Sequence, residues 1–123
     1  MFIKSFDPGD AADALAEMQF DTLVHFNSAH IGVFWSAAGG PSPWEMHPDS
    51  EELLHVIEGA IEVEVLPLES GSGVKTIVNE GSFMVIPKGC WHRQHMLLRS
   101  KEMYLSPEIT LHSSADDPRD IDT

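Results

Sequence analysis

The sequence predicts an all-β domain, a sandwich or closed barrel preceded by a short N-terminal arm or helix. Three observations carry this. Short runs of β-branched and aromatic residues recur along the chain. Glycine and proline interrupt them at close intervals. Ile61, Val63 and Val65 alternate with Glu62 and Glu64, the period of two expected of a strand with one buried and one wet face.

The elements follow in order. Residues 7–20 open on Asp-Pro-Gly and then carry Ala11, Ala12, Ala14, Leu15, Ala16 and Met18. This reads as a short helix with Asp10 as its N-cap, or as a loose arm. Thr22–Phe26 and His30–Trp35 read as strands about the turn residues Asn27-Ser28. Residues 38–43, with two glycines and two prolines, form a loop. Gly59-Ala60 is a turn, Leu66 to Gly73 a hairpin loop, and Val74 to Val78 a short strand. Asn79-Glu80-Gly81 turns into a strand over Ser82–Ile86 that stops at Pro87. Gln94 to Leu98 and Lys101 to Leu105 are the last strand candidates. Residues 1–111 therefore form one domain. His112 to Thr123, with four aspartates and few apolar residues, reads as a disordered tail.

Composition excludes several functions. At 123 residues the chain has one domain's worth of core. A formal net charge of −13 repels phosphate, which argues against nucleic acid and against an anionic membrane surface. Cys90 is the single cysteine, so no internal disulfide framework exists. A reducing, cytoplasmic setting fits. Residues 1–8 hold no apolar run of signal-peptide length, and no stretch approaches a membrane span.

Two blocks carry chemistry. The first places Gly39, Glu45, His47, Glu52 and Gly59 at intervals of five, one, four and six intervening residues. Residues two apart on a strand share a face, so Glu45 and His47 point together. Pro48-Asp49-Ser50-Glu51 turns the chain, and Glu52 opens the returning strand. Gly59 ends that strand in a turn suited to positive φ. The second block places Gly81, Pro87, Gly89 and His92 at intervals of five, one and two. Imidazole and carboxylate converging from separate strands make a divalent-metal site.

These blocks resemble the two motifs of the cupin superfamily, G-x5-H-x-H-x(3,4)-E-x6-G and G-x5-P-x-G-x2-H-x3-N. The chain is similar to a small single-domain cupin at Gly39, His47, Glu52, Gly59, Gly81, Pro87, Gly89 and His92. It departs at Glu45, where the family has histidine, and at Met96, where it has asparagine. The resemblance implies a double-stranded β-helix, a jelly-roll barrel of two antiparallel sheets. It also implies a metal site of Glu45, His47, Glu52 and His92 for iron, manganese, zinc or nickel. Glu51 is a rival to Glu52, but only Glu52 leaves six residues before Gly59. Glu45 is open to three roles: ligand, outer hydrogen-bond acceptor, or base. Homodimers are common in the family, so a dimer is expected.

Parity on the strands assigns the rest. His55 and His95 lie opposite in parity to Glu52 and His92 and read as exterior. Gln94 and Met96 share the parity of His92 and read as cavity walls that touch a small-molecule ligand, with Met96 making that wall more apolar. Cys90 reads as buried and inert, and Trp35, Trp44 and Trp91 as packing aromatics. The acidic face of Glu62 and Glu64 reads as solvated. His25, His30 and His112 receive no role. Two functions follow from the resemblance. One is a metal-dependent enzyme of dioxygenase, isomerase or decarboxylase type acting on a small organic acid or sugar-like substrate. The alternative is a non-catalytic binding or sensor barrel, with or without metal. A barrel that has lost its metal is a third reading, opposed by the cost of burying three polar groups without a partner.

Overall fold

The computed structural model of the chain describes residues 3–120. Helix α1 (Pro8–Asp13) leads into ten strands: β1 (Asp21–Phe26), β2 (Ala29–Ser36), β3 (Trp44–Met46), β4 (Glu52–Glu58), β5 (Ala60–Val65), β6 (Val74–Asn79), β7 (Phe83–Ile86), β8 (His92–Met96), β9 (Ser100–Pro107) and β10 (Leu111–Ser113). They form two five-stranded antiparallel sheets, ordered β1-β2-β9-β4-β7 and β10-β3-β8-β5-β6. The alternation in the sequence explains their faces. Ile61 and Val63 are fully buried, while Glu62 and Glu64 lie on the other face of β5. In the first sheet Phe34, Leu54, Val56 and Tyr104 face inward. They meet Ile61, Val63, Val78 and Met96 of the second sheet in a single core. Trp44, Leu66 and Trp91 form a smaller cluster, and the Arg93 guanidinium lies 4.2 Å over the Trp44 ring.

Several boundaries differ from the sequence reading. The N-cap is Asp7, not Asp10: its carboxylate accepts from the Asp10 N–H at 3.0 Å, and Pro8 occupies the first turn. The strand expected from Gln94 begins at His92, because β8 pairs with β5 from Val65↔His92 onward. It ends at Met96. Leu97 and Leu98 then turn and donate to the Ala60 carbonyl. β9 outruns its expected span, paired with β2 from Ala29↔Pro107 to Ser36↔Ser100.

The expectation of a disordered tail from residue 112 is corrected. Leu111–Ser113 forms β10 on the free edge of β3, and a 3-10 turn covers Pro118–Asp120. Arg119 anchors that turn by donating to the carbonyls of Pro67 and Gly71 at 3.0 and 2.9 Å and to Asp117. The last three residues of the expected tail, 121–123, lie outside the described residues. Among the described residues no helix is long and apolar enough to cross a membrane.

Gly59 has φ +97° in the β4–β5 turn, and a Cβ there would collide with the Arg99 carbonyl and Ser100. Gly32 on β2 leaves the space that the Tyr104 ring fills.

Candidate metal centre

Four side chains converge at one end of the barrel. β3 carries Glu45, and His47 follows directly after its last residue. β4 and β8 open on Glu52 and His92, and Glu45 stands opposite His92 in the β3–β8 register. Donor atoms of Glu45, His47 and His92 all lie within 4.8 Å of one another. The Glu52 carboxylate lies between the rings: Oε2 is 3.3 Å from His47 Nε2, and Oε1 is 3.3 Å from His92 Nε2. All but Glu45 are almost completely buried. Of the three roles open to Glu45, the geometry brings it within ligating reach of both imidazoles.

The rings are oriented from behind. His92 Nδ1 lies 3.2 Å from the Cys90 carbonyl. His47 Nδ1 lies 3.0 Å from Thr110 Oγ1 and 3.4 Å from the Ile109 carbonyl. A carbonyl only accepts, so each Nδ1 carries a proton: protonated, a ring faces Glu52 as a cation, and neutral, it keeps its lone pair on Nε2. The neutral form is the tautomer a metal requires. His47 Nε2 is buried without a hydrogen-bond partner, since its approach to Glu52 lacks hydrogen-bond alignment. A divalent ion is the group that satisfies such a nitrogen beside two carboxylates. The donor set fits.

The electrostatics are uneven. Burial alone would raise the Glu52 carboxyl. The imidazoles of His47 and His92 outweigh it, aided by the Ser106 hydroxyl that donates to Oε2, and hold it down to about 2. Glu45 is pushed up by burial and by Glu52, against the pull of His92 and His112. Burial lowers His47, but the neighbouring Glu52 reverses this and raises it overall.

A cavity of about 280 Å³ opens over Glu45, His47 and Glu52. Gln94 and Met96 both line it, as do Phe20, Phe34, Leu54 and Tyr104. Its wall mixes polar groups, among them Ser42, Gln94 and Thr110, with these apolar ones. His55 and His95 point away from it: His55 Nδ1 lies 3.1 Å from the Ser82 carbonyl, and His95 is exposed. Cys90 is buried outside the cavity lining, and burial raises its thiol.

Sequence reasoning missed five residues here. Ser106 and Thr110 touch Glu52 and His47, and His112 of β10 stands opposite Glu45. His30 lines the cavity with its ring edge-on to Tyr104 at 5.8 Å. Glu102, in the middle of β9, is wholly buried. Burial pushes its carboxyl up to about 8, and Glu52 and Glu45 add to the shift. One signal existed for His30, which shares the parity of Phe34.

A two-sheet β-barrel with a buried histidine–carboxylate cluster at one end defines a jelly-roll type of protein with a candidate metal site. The family model for the cupin domain matches residues 33–96, just over half the chain. The chain belongs to the cupin family. No curated protein matches it by sequence. Among solved structures it is similar to a cupin-2 domain containing protein from Shewanella frigidimarina NCIMB 400, with 19% identity, TM-score 0.66, and 84% of this chain and 94% of that one covered. It is similar to hydroquinone 1,2-dioxygenase from Sphingomonas sp. TTNP3, solved with 4-hydroxybenzoate bound, with 16% identity, TM-score 0.67, and coverage of 88% and 81%. Oxalate oxidase shares 24% identity at TM-score 0.59, over 69% of this chain and 46% of that one. At these identities the likeness concerns the fold.

Proposed function

We propose that this chain binds one divalent metal through His47, Glu52 and His92, joined by Glu45, and acts on a small organic ligand held in the adjoining cavity. The observation that carries the reading is the pair of imidazoles, each held by its Nδ1 so that Nε2 faces the carboxylates, with His47 Nε2 unsatisfied. A bound iron, manganese, zinc or nickel ion would supply Lewis acidity or redox chemistry. The chain's own residues do the rest. Ser106 fixes one oxygen of Glu52, and Thr110 fixes the His47 ring. Phe34, Met96 and Leu54 exclude water from one wall, and Gln94 offers a polar contact. A small acid or hydroxylated ring fits such a site, with its polar end toward the carboxylate–imidazole cluster. Likeness to a hydroquinone 1,2-dioxygenase and to an oxalate oxidase supports a dioxygenase or oxidase type of chemistry.

A second reading is a non-catalytic binding or sensor barrel. One observation favours it: Glu52 is already compensated by two imidazoles and a hydroxyl, so the cluster holds together as a polar network. Homodimerisation and a cytoplasmic location belong to the same proposal and rest on the family habit and the unpaired cysteine.

The deciding experiment is metal content by ICP-MS on untagged protein purified without chelator. His47→Ala and His92→Ala serve as controls. Near one metal per chain, lost in both variants, is the expected result. Oxygen uptake with a panel of small acids and phenols then separates enzyme from sensor. A protein that takes up no iron, manganese, nickel or zinc even on anaerobic reconstitution would overturn the metal-dependent reading.

A further inference from the structure

Glu102 is a carboxyl with no surface and no lysine or arginine partner among the described residues. It sits on β9 between Phe34 of β2 and Val56 of β4 in the register and faces the second sheet. Its neighbour there is Gln94 of β8, which the 38–43 loop holds in place: the Ser42 N–H donates to the Gln94 carbonyl at 2.8 Å, and Ser42 Oγ accepts from the Gln94 N–H at 3.0 Å.

The orientation of the Gln94 amide follows from this neighbour. With nitrogen toward Glu102, it donates to Oε2 and Oε1 at 2.7 and 2.9 Å. The reverse orientation sets the amide oxygen against both carboxyl oxygens. Even a protonated carboxyl has one hydrogen and can bridge only one of those two contacts. The nitrogen therefore belongs to Glu102, and the oxygen is the free end of the side chain. Gln94 also lines the cavity.

We propose that Glu102 is a positioning residue: by holding the Gln94 nitrogen, it presents the Gln94 amide oxygen as the hydrogen-bond acceptor of the cavity wall, so that the cavity selects ligands bringing an O–H or N–H to that point. This rests on the cavity being the ligand site proposed above. It deepens that reading by specifying a donor-bearing ligand. The burial of Glu102 supports it. A carboxyl kept neutral by its surroundings can accept from an amide without demanding a cation. A glutamate placed where a leucine would pack is a poor choice for stability alone.

The test uses full-length protein in buffer containing zinc, which is diamagnetic, with phenol and anisole as probes. They share an aromatic ring suited to the Phe34 and Tyr104 wall, and anisole carries a methyl group in place of the hydroxyl hydrogen that phenol donates. Wild type, Glu102→Gln, Glu102→Leu and Gln94→Leu are compared. In ¹⁵N-resolved NMR spectra the Gln94 side-chain amide is expected to exchange slowly in wild type and in Glu102→Gln, which keeps an acceptor oxygen. It is expected to exchange fast in Glu102→Leu. Phenol should bind about tenfold more tightly than anisole in the first two proteins, as one hydrogen bond allows. The preference should vanish in Glu102→Leu and Gln94→Leu. A fast-exchanging Gln94 amide in wild type overturns the proposal, as does a phenol preference that survives in Glu102→Leu or is missing in wild type. Metal stoichiometry on the same samples keeps the two readings apart. Absent metal defeats the metal-centre reading, whereas bound metal with an unchanged preference in Glu102→Leu defeats this one.

Discussion

Replacing Glu52 by glutamine tests the electrostatics of the cluster. Glutamine has the shape of a protonated glutamate and stands in for it. In the fold the Glu52 carboxyl is held down to about 2, from an ordinary 4.5. Its folded value is depressed, so its stabilisation is present above the unfolded pKa and is lost as pH falls from 4.5 towards 2. A shift of this size corresponds to about 3 kcal/mol. Glu52 is buried, so solvent screens little of it. The assay is urea unfolding of chelator-treated wild type and Glu52→Gln from pH 6 to pH 2.5. At pH 5–6 the variant should unfold at a midpoint lower by roughly 1–2 M urea, taking the usual slope for a domain of this size. The gap should close as the pH falls through the window. Carboxylates away from the cluster titrate alike in both proteins; Glu45, which Glu52 pushes up, is removed from the comparison by repeating it in a Glu45→Gln background. A gap that stays constant from pH 6 to pH 2.5 would refute the argument that the imidazoles and Ser106 stabilise the ionised form.

Glu102 should behave in the opposite sense. Its carboxyl is raised to about 8, so the ionised form is disfavoured in the fold, and stability is lost as pH climbs from 4.5 towards 8. Glu102→Gln should therefore match wild type near pH 4.5 and exceed it by roughly 3 kcal/mol at pH 7, read as a widening gap in melting temperature. Gly59→Ala meets both a positive φ and the Arg99 carbonyl. It should cost about 2 kcal/mol and lower Tm by roughly 8 °C in a calorimetric scan. Phe34→Ala empties the space between Phe20, stacked on it at 4.4 Å, and Tyr104. It should destabilise by about 3–5 kcal/mol in denaturant titration and enlarge the cavity. Thr110→Val removes one partner of His47 Nδ1 while keeping the shape. Metal affinity should fall about 10-fold or more, measured by competition with a chromophoric chelator.

How much was legible in the sequence differs by residue. His47, Glu52 and His92 announce themselves because strand geometry holds such groups at fixed intervals, and their spacing survives translation into space. Gln94 and Met96 reach the cavity by simple parity with His92. β9 defeats the same logic. Its apolar Met103 and Leu105 are half-buried on the outer face, while Ser100, Glu102, Tyr104 and Ser106 point inward. A reader sorting by hydropathy turns that strand the wrong way round. The C-terminal residues were misread for another reason. An acidic average says nothing about three residues pairing along the open edge of β3, nor about Arg119 reaching two loop carbonyls. The unassigned face of β9 and the misread tail hid groups around the cluster, and hid none that the motif spacing names.

The supports behind the cluster have a consequence for how the protein comes into being. His47 and Glu52 are synthesised about midway along the chain, yet their partners are Ser106, Ile109 and Thr110, between 54 and 63 residues later. During translation the histidines and carboxylates exist as ordinary side chains on an unfinished polypeptide before anything locks their rings. Contacts of such long sequence separation form late. The arrangement of Glu52 and His47 therefore waits until β9 and the residues leading into β10 have docked, and a chain clipped before Ser106 lacks these supports. In the metal-centre reading proposed above, a bound metal would report that β9 and β10 are in place.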